Sequence, residues 1–191
     1  EALGWARDEG QQVRVIGGGT NLLIADAGVD GLVIKTGAAQ TAIEERHGEP
    51  VLIADAGATF ANVARRLAKD GFGGLEWAAN VPGTIGGAVR MNAGAFGGET
   101  KDRLLWAEAL DRCGELHRLT ASELGFAYRR SGLPKDWIVT RAAFGGEPAE
   151  PAVAQPGIRL LLGEVAPAAA VLRGQVAFHP VGNAHVDDVV D

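Results

Sequence analysis

The stretch VPGTIGGAVRMNAGAF, residues 81–96, limits the local structure that this part of the chain can form, because it is rich in glycine and nearly free of charge. It contains four glycines, one proline and a single charged residue, Arg90. Glycine weakens a helix through its backbone entropy, and it gives a strand no side chain to pack. The stretch therefore predicts neither a regular helix nor a core strand, but a loop whose bare backbone lies against another group.

A second glycine segment, IGGGTNLL at residues 16–23, follows directly on the strand pattern VRVI. Consecutive backbone N–H groups without side chains can surround an anion, and Thr20 and Asn21 add further donors. The segment lacks the third glycine of a dinucleotide-binding motif, because Leu22 stands there, and the chain contains no phosphate-binding Gly-Lys-Ser/Thr sequence. A plain glycine hairpin remains the alternative for this segment, and a tightly packed loop remains the alternative for residues 81–96.

The overall charge favours capture of a ligand by backbone groups rather than by ionic side chains. The 191-residue chain has a net charge of −6, and no basic stripe is present to neutralise a nucleic acid. Its hydrophobic share of 47% is enough to build a core. Two loops of Gly, Thr and Asn in an acidic protein therefore predict a large, rigid ligand held by the backbone, and no nucleic-acid partner.

The remaining composition excludes several other classes of site. A single cysteine, Cys113, excludes an internal disulfide framework and a cysteine-rich zinc site, and it fits a reducing, cytoplasmic setting. No apolar run approaches ~20 residues, so we expect no membrane span. His179 and His185 lie near two aspartates, but surface histidines are the favoured interpretation, and no metal site is predicted.

The hydrophobic periodicity predicts a series of short elements around the two loops. Helices are expected in residues 1–10 and from Thr59, as the capping residue, to Gly71. The apolar stripe of the second helix comprises Phe60, Val63, Ala64 and Leu67. Strands are expected at residues 13–16, 22–24, 32–34, 51–56, 104–110, 115–119 and 137–144, with a helix as the alternative for 104–110.

The chain after residue 119 is less regular. Thr120 and Glu123 form a short capping box, and the Gly/Pro-rich run at residues 145–157 is typical of a linker. Beyond the linker, a helix is expected around residues 160–164 and a strand at residues 175–178.

A third candidate site is the segment GFAYRRSGLP, residues 125–134, which contains two adjacent arginines. Arginine presents a fixed planar cation that suits a carboxylate. Adjacent side chains on an extended segment point in opposite directions, so one of Arg129 and Arg130 can face a site while the other meets solvent. A solvated basic turn is the alternative.

Three motifs, IGGGTNLLIAD, VPGTIGGAVRMNAGAFGGE and ELGFAYRRS, occur in the order and at roughly the spacing of the UDP-N-acetylenolpyruvoylglucosamine reductases, which this chain resembles over residues 1–145. The resemblance implies an α+β protein with a PCMH-type FAD-binding fold (the vanillyl-alcohol-oxidase type) of two α+β subdomains, plus a shortened remnant of a substrate-binding α+β domain. The implied division is residues 1–37 as part of the first subdomain, 38–147 as the second, 148–157 as a linker and 158–191 as the remnant.

The resemblance also implies a function. NADPH as co-substrate would reduce FAD, and the hydride would pass to the enolpyruvyl group of UDP-N-acetylglucosamine enolpyruvate, giving UDP-N-acetylmuramate for the cell wall. Tyr128, Arg129 and Ser131 match substrate-binding positions, and Arg129 matches the catalytic arginine that engages the substrate carboxylate and stabilises the developing enolate. The residues that match cofactor-binding positions are Gly17, Gly18, Gly19, Thr20, Asn21, Leu22, Pro82, Gly83, Thr84, Gly86, Gly87, Asn92, Ala93, Gly94, Ala95 and Ile138.

Other parts of the family pattern have no counterpart in this sequence. These are a Thr-rich segment before the first helix, a Ser or Cys proton donor in a Phe-Lys-Asn-Pro-like segment, and a final acidic residue. General acid catalysis contributes ~10²–10⁴-fold in rate, so little reductase activity is expected of these residues alone. We expect a partial chain of a monomeric enzyme; the alternatives are a non-catalytic FAD- or nucleotide-binding module and a purely structural α+β domain.

Overall fold

The computed structural model describes residues 1–151, in which four short helices alternate with strands. In chain order, the helices are α1 (Ala2–Asp8), α2 (Phe60–Lys69), α3 (Ile85–Met91) and α4 (Thr100–Arg103), with a 3₁₀ helix at Glu76–Asn80. The strands are β1 (Val13–Ile16), β2 (Leu32–Lys35), β3 (Thr41–Arg46), β4 (Glu49–Asp55), β5 (Phe72–Gly73), β6 (Gly94–Ala95), β7 (Gly98–Glu99), β8 (Leu104–Leu110), β9 (Leu116–Thr120), β10 (Ile138–Gly145) and β11 (Glu147–Pro148).

The described strands form one small parallel pair, one larger antiparallel sheet and two short antiparallel pairs, β5 with β11 and β6 with β7. Strands β1 and β2 are parallel, with Val13 opposite Leu32, and the larger sheet has the order β3-β4-β10-β8-β9. The α+β prediction is confirmed, and so are the strands expected at residues 13–16, 32–34, 51–56, 104–110, 115–119 and 137–144, within one or two residues. The helical alternative for residues 104–110 is therefore wrong.

The strand expected at residues 22–24 does not form. This LLI run follows the first glycine segment as irregular backbone, and no strand within residues 1–151 pairs with it. Leu23 is 85% exposed, so the run lacks the neighbouring strand and the buried face that stabilise a β-strand. Strand β3, by contrast, was missed, because the sequence TAIEER places exposed side chains at nearly every position.

Helix α2 buries its apolar stripe in the core, as its periodicity predicts. All four residues of the stripe are buried, and the Phe60 ring lies 5.6 Å from the Trp77 ring and 5.5 Å from the Phe144 ring, centroid to centroid. Thr59 holds the N-cap position, but the expected capping bond from its side chain is absent. The backbone of Thr59 instead pairs with that of Thr84, which ties the start of α2 to the glycine-rich stretch.

The prediction that residues 81–96 contain no regular helix is wrong, because α3 lies within them. The Thr84 hydroxyl accepts a hydrogen bond from the Gly87 N–H at 3.4 Å and caps the helix. The helix buries Ile85, Ala88 and Val89 in the core and ends at Asn92, whose left-handed backbone (φ 44°) forms the C-cap. Capping and burial thus offset the entropy that the two glycines of this helix cost.

The Gly/Pro-rich run after β10 begins as packed structure rather than as a free linker. Strand β11 pairs with β5, so that Glu147 lies opposite Gly73, and the Ala149 N–H donates to the Gly71 carbonyl at 2.8 Å. These backbone bonds fix the start of the run that was expected to be a linker from residue 145. The rest of the linker and the predicted elements in residues 158–191 lie outside the described residues, and the domain boundaries stay predictions.

None of the helices within residues 1–151 is long and apolar enough to cross a membrane.

Candidate functional site

The two glycine segments meet in the structure. A Cβ atom added at Gly18 would lie 4.0 Å from the Gly83 Cα atom and 4.0 Å from the Thr84 Cγ2 atom. A Cβ atom at Gly83 would lie 3.3 Å from the Thr20 hydroxyl, and Gly83 has a left-handed φ of 103°, which side chains rarely tolerate. Gly83 therefore allows the close approach of Thr20, whereas Gly18 lies at an ordinary contact distance from the second loop.

Backbone hydrogen bonds hold the second loop rigidly against the larger sheet and α2. The Phe60 N–H donates to the Gly83 carbonyl at 3.1 Å, at the start of α2. The Ile85 and Gly86 N–H groups donate to the carbonyls of Ala58 and Ala56 at 2.9 Å and 2.8 Å. The backbone around Thr84 is thus positioned by the core before any ligand is considered.

A cavity of about 60 Å³ lies between the ends of β1 and β2, the start of α3 and the start of β10, and we call it the inter-loop cavity. Its lining residues are Val15, Gly17, Thr36, Thr84, Gly86, Gly87, Arg90, Trp137, Ile138 and Val139. The structure therefore brings together five of the predicted cofactor-binding residues from three distant segments: Gly17, Thr84, Gly86, Gly87 and Ile138. Gly18, Thr20 and Gly83 adjoin them through the contacts between the loops.

The other residues of the first glycine segment lie at the surface. Gly19, with φ of 70°, and Asn21 are exposed, as is Pro82 of the second segment, whereas Leu22 is half-buried. A Cβ atom at Gly19 would meet nothing within 4 Å, so this loop presents open backbone beside the inter-loop cavity.

Close packing accounts for the missing side chain at Gly86, in line with the packed-loop alternative for residues 81–96. A Cβ atom there would lie 3.0 Å from the Ala56 Cβ atom and 3.3 Å from the Ala56 carbonyl oxygen. The missing side chain thus allows α3 to approach the end of β4. A side chain at Gly86 would point at the end of β4, so the close packing of α3 accounts for this glycine.

We expect Gly86→Val to lower the free energy of unfolding by about 1–3 kcal/mol, because overpacking forces α3 away from Ala56. The measurement is urea denaturation followed by circular dichroism. Gly4→Val is the matched control, since Gly4 also lies in a helix and a Cβ atom there would meet nothing within 4 Å. Equal losses in the two variants would contradict the packing role.

A second, larger cleft of about 440 Å³ surrounds Arg129, and we call it the Arg129 cleft. Its lining residues are Gly94, Ala95, Phe96, Gly97, Gly98, Glu99, Lys101, Asp102 and Arg129. Two of the predicted cofactor-binding residues, Gly94 and Ala95, and the predicted catalytic arginine therefore share this cleft. Ala93, also predicted to bind the cofactor, packs against the core, and its carbonyl accepts two bonds from Thr100.

A tight turn presents Arg129 to the cleft. Ala127 and Arg130 exchange backbone hydrogen bonds of 2.9 Å and 3.2 Å, and Arg129 between them has a left-handed φ of 56°. The Arg129 Nη1 atom donates to the Gly94 carbonyl at 3.2 Å, and the guanidinium lies 5.4 Å from the centre of the Tyr128 ring. Tyr128 is 81% exposed, so the turn offers an aromatic face and a cation to solvent.

Ser131, predicted to bind substrate, anchors this turn. Its backbone N–H and its hydroxyl both donate to the Arg90 carbonyl, at 2.9 Å and 3.0 Å. The hydroxyl thereby fixes the Tyr–Arg turn to the end of α3.

Asn92, predicted to line the cofactor site, is buried with all its polar groups engaged. Its side chain is 1% exposed, and its Nδ2 atom donates to Glu99 Oε2 at 3.0 Å and to the Ala127 carbonyl at 3.1 Å. Its Oδ1 atom accepts from the Lys101 N–H at 3.1 Å. Asn92 therefore joins the glycine-rich stretch to the turn that carries Arg129, and both of its amide N–H donors are taken up within the protein.

Glu99 is held in its charged form beside this network. Its carboxylate forms an ion pair with Lys101, and this bond, followed by the bond from Asn92 and the charge of Arg129, holds the pKa of Glu99 below its usual value. The Arg129 cleft thus contains the cations of Lys101 and Arg129 beside the carboxylates of Glu99 and Asp102.

Arg90 is the most informative residue that sequence reasoning failed to assign. It lines the inter-loop cavity, and its Nη1 atom donates to the carbonyls of Leu133 and Pro134 at 2.8 Å and 2.9 Å. Its Nη2 atom donates to the Trp137 carbonyl. The signal was present in the sequence, since Arg90 is the one charge in a glycine-rich stretch.

The structure also groups acidic side chains with a histidine on the hairpin between β8 and β9. One ligand atom from each of Asp111, Glu115 and His117 lies within 4.8 Å of the others. The His117 ring is already bound to Asp111 Oδ2 at 3.0 Å and stacked on Trp137 at 4.3 Å, which accounts for its position. The histidines considered earlier, His179 and His185, lie outside the described residues.

The residues around the inter-loop cavity fit a flavin nucleotide in chemistry. Such a ligand combines a flat ring with anionic phosphates, and the site combines side-chain-free backbone at Gly18 and Gly83 with the half-buried cation of Arg90. The cavity itself, at about 60 Å³, admits only one part of a flavin nucleotide. The exposed backbone around Gly19 is available beside it for the rest.

Comparison with known proteins agrees with this chemistry. A family profile described as "FAD binding domain" matches residues 1–120. The UDP-N-acetylenolpyruvoylglucosamine reductase of Azorhizobium caulinodans is 47% identical over 143 residues, which cover 75% of this chain and 46% of that protein. The reductase of the same name from Gloeobacter violaceus is 48% identical over 155 residues, covering 78% and 51%. The chain thus spans about half the length of the curated relatives it matches.

Solved structures point the same way. The crystal structure of UDP-N-acetylenolpyruvylglucosamine reductase from Thermus caldophilus matches with a TM-score of 0.69 and 32% identity, covering 91% of this chain and 60% of that one. A solvent-stable cholesterol oxidase matches with a TM-score of 0.58 at 19% identity, over 75% of this chain and 31% of its own, and so shares the fold alone. The chain therefore belongs to the FAD binding domain family and resembles, within it, the flavin-binding part of the UDP-N-acetylenolpyruvoylglucosamine reductases.

Proposed function

We propose that this chain provides the FAD-binding part of a reductase that uses NADPH to convert UDP-N-acetylglucosamine enolpyruvate into UDP-N-acetylmuramate, acting as a monomer. One observation carries the proposal: two glycine segments of the family pattern meet at one cavity, and the Tyr–Arg turn is bonded to the helix that lines it. The name and identity of the relatives supply the reaction.

The chain's own residues divide the work between binding and electrostatics. FAD, when bound, supplies the chemistry of accepting a hydride and passing it on. The side-chain-free backbone of Gly17, Gly86 and Gly87 would let the cofactor approach the cavity wall, although the Gly86 and Gly87 N–H groups are already bonded to the Ala56 carbonyl and the Thr84 hydroxyl. Ile138 in the same wall would help to exclude water from it.

Arg129 has the chemistry needed for the substrate. Its exposed guanidinium can bind the carboxylate of the enolpyruvyl group as a charge-assisted pair. As hydride reaches one carbon of the double bond, negative charge develops toward that carboxylate, and a fixed cation lowers the energy of that state. A proton is then delivered to the neighbouring carbon, and no residue among those described is assigned to that step.

The first test is the visible spectrum of the protein mixed with FAD. We expect a yellow protein with a shifted flavin band and micromolar or tighter affinity, because a preformed rigid site avoids the cost of ordering loops on binding. Fluorescence titration of FAD gives the affinity. If the protein binds no flavin at micromolar FAD, the proposed function is refuted.

A second measurement separates the reductase from a non-catalytic flavin-binding module. In stopped-flow mixing, NADPH should bleach the bound flavin, and the enolpyruvyl substrate should restore its colour. Flavin that binds but is neither reduced by NADPH nor reoxidised by substrate would identify the non-catalytic module instead.

A further inference from the structure

Arg90 is the one charged residue among those that line the inter-loop cavity. It lies about one turn of α3 after Gly86 and Gly87, which line the same cavity. Its cation therefore lies beside whatever the cavity holds.

Three carbonyl groups hold the guanidinium in place but do not exhaust its donors. The carbonyls of Leu133, Pro134 and Trp137 take up both N–H bonds of Nη1 and one of Nη2. Arginine has five side-chain N–H bonds, so the Nε–H and the second Nη2–H have no acceptor within residues 1–151. These two donors are available to a ligand.

The charge of Arg90 also lacks a counter-ion of its own. Burial lowers the pKa of Arg90, and the nearby charge of Asp136 opposes this effect. Asp136 is itself bound to Arg112 at 2.6 Å, and Arg90 forms no ion pair in the part of the chain that the structure describes. Arg90 is half-buried, and an anionic ligand in the inter-loop cavity would supply the counter-ion that this cation lacks.

We propose that Arg90 is a cofactor-binding residue whose guanidinium binds an anionic oxygen of the flavin nucleotide. This inference rests on the proposed function, since it requires that FAD occupies the inter-loop cavity. The anionic oxygen has two sources: the pyrophosphate, which is charged in every redox state, and the isoalloxazine ring, which gains negative charge on reduction. Both would be stabilised by the same fixed cation.

The test uses two substitutions at Arg90 and one matched control. Arg90→Gln removes the charge and keeps a donor for the carbonyl groups, whereas Arg90→Lys keeps the charge. Arg141→Gln is the control, because Arg141 is half-exposed on β10, lies 3.7 Å from Asp55, and changes the net charge equally without lining the cavity. The measurements are the dissociation constants of FAD and riboflavin and the midpoint potential of the bound flavin.

The two sources of anionic oxygen predict different results. If the guanidinium binds pyrophosphate, Arg90→Gln weakens FAD about tenfold or more, and riboflavin, which has no phosphate, binds as before. If it faces the ring, Arg90→Gln lowers the midpoint potential, by about 30 mV for each tenfold loss of affinity for reduced over oxidised flavin. In either case Arg90→Lys keeps the FAD affinity and the midpoint potential close to those of the wild type.

Asp136→Asn keeps the proposal testable if Arg90→Gln does not fold. It removes the carboxylate that competes for the charge of Arg90 and leaves the three carbonyl bonds in place. Whichever of the two quantities Arg90→Gln lowers, the affinity for FAD or the midpoint potential, Asp136→Asn should therefore raise. A folded Arg90→Gln variant that matches Arg141→Gln, or an Asp136→Asn variant with unchanged binding and potential, would overturn the role of Arg90. Wild-type protein that binds no FAD would instead overturn the proposed function.

Discussion

Arg129→Ala is expected to leave FAD binding intact and to slow reoxidation of the reduced protein by the enolpyruvyl substrate at least about 10²-fold. Removing one preformed donor to a developing anion typically costs about 10²–10³ in rate, and a lost carboxylate partner weakens substrate binding as well. FAD binding should persist because, of the predicted cofactor-binding residues, Gly94 and Ala95 line the Arg129 cleft, whereas Gly17, Thr84, Gly86, Gly87 and Ile138 line the inter-loop cavity. Stopped-flow absorbance of the flavin band measures both quantities.

Arg130→Ala is the matched control for this prediction. Arg130 belongs to the same turn, is exposed, and its side chain forms no hydrogen bond or ion pair within residues 1–151. Its removal changes the net charge equally but should alter reoxidation little. Equal losses from the two variants would refute the assignment of Arg129. Arg129→Lys should recover only part of the rate, because lysine cannot bind a carboxylate through two parallel donors.

The backbone conformation of the turn explains why Arg129, rather than its neighbour, faces the cleft. The left-handed φ of 56° at Arg129 reverses the chain between Ala127 and Arg130 and brings the guanidinium to the Gly94 carbonyl. A sequence pattern of two adjacent arginines predicts that one of them faces a site, but it does not say which one. The choice depends on the bonds between the turn, Asn92 and Arg90, which join segments about forty residues apart.

Local sequence patterns predicted those helices and strands whose formation follows from the order of side chains within the element itself. The stripe of α2 and the β-branched run of β1 are examples, because burial of a periodic face follows directly from the order of the side chains. Helix α3 was missed because its glycines are poor helix formers in isolation. Bonds from Ile85 and Gly86 to the carbonyls of Ala58 and Ala56 supply the tertiary support that a single-segment reading cannot include.

The candidate site, too, was predicted from the sequence only in part. The motifs predicted which loops form it, and the structure brings Gly17, Thr84 and Ile138 together at one cavity. The role of each residue within those loops depends on where its side chain points, which the motifs do not contain. Gly86 faces Ala56 and Ser131 binds the Arg90 carbonyl, so both act in packing or anchoring.

The buried hydrogen bonds of Asn92 also stabilise the fold. Asn92→Asp is therefore expected to lower the free energy of unfolding by about 3–5 kcal/mol at pH 7. The Asn92 amide donates to Glu99 Oε2 and to the Ala127 carbonyl at 3.0 Å and 3.1 Å in a site that is 1% exposed. A carboxylate of the same shape would place an acceptor against both acceptors and a second negative charge against Glu99. It would still accept the bond from the Lys101 N–H, so the change isolates the two lost donors.

This loss should depend on pH in a defined direction. Burial and the charge of Glu99 raise the pKa of the introduced carboxyl group in the folded state above its unfolded value. A group whose folded pKa is raised is tolerated best below its unfolded pKa, and it destabilises the fold as pH rises through the folded value. The difference in unfolding free energy between wild type and variant should therefore be smallest near pH 4 and grow toward pH 7, as measured by urea denaturation at each pH.

Thr100→Val is the control that separates the effect of charge from the effect of any buried polar change. Thr100 is fully buried in the same loop, and its hydroxyl donates to the Ala93 carbonyl at 2.9 Å, so its removal should cost about 1 kcal/mol without dependence on pH. The conformation of the turn that carries Arg129 should also change in Asn92→Asp and not in Thr100→Val, since only Asn92 is bonded to Ala127. A pH-independent loss in Asn92→Asp, equal to that of Thr100→Val, would mean that the amide donors of Asn92 do not hold the loop and the turn together.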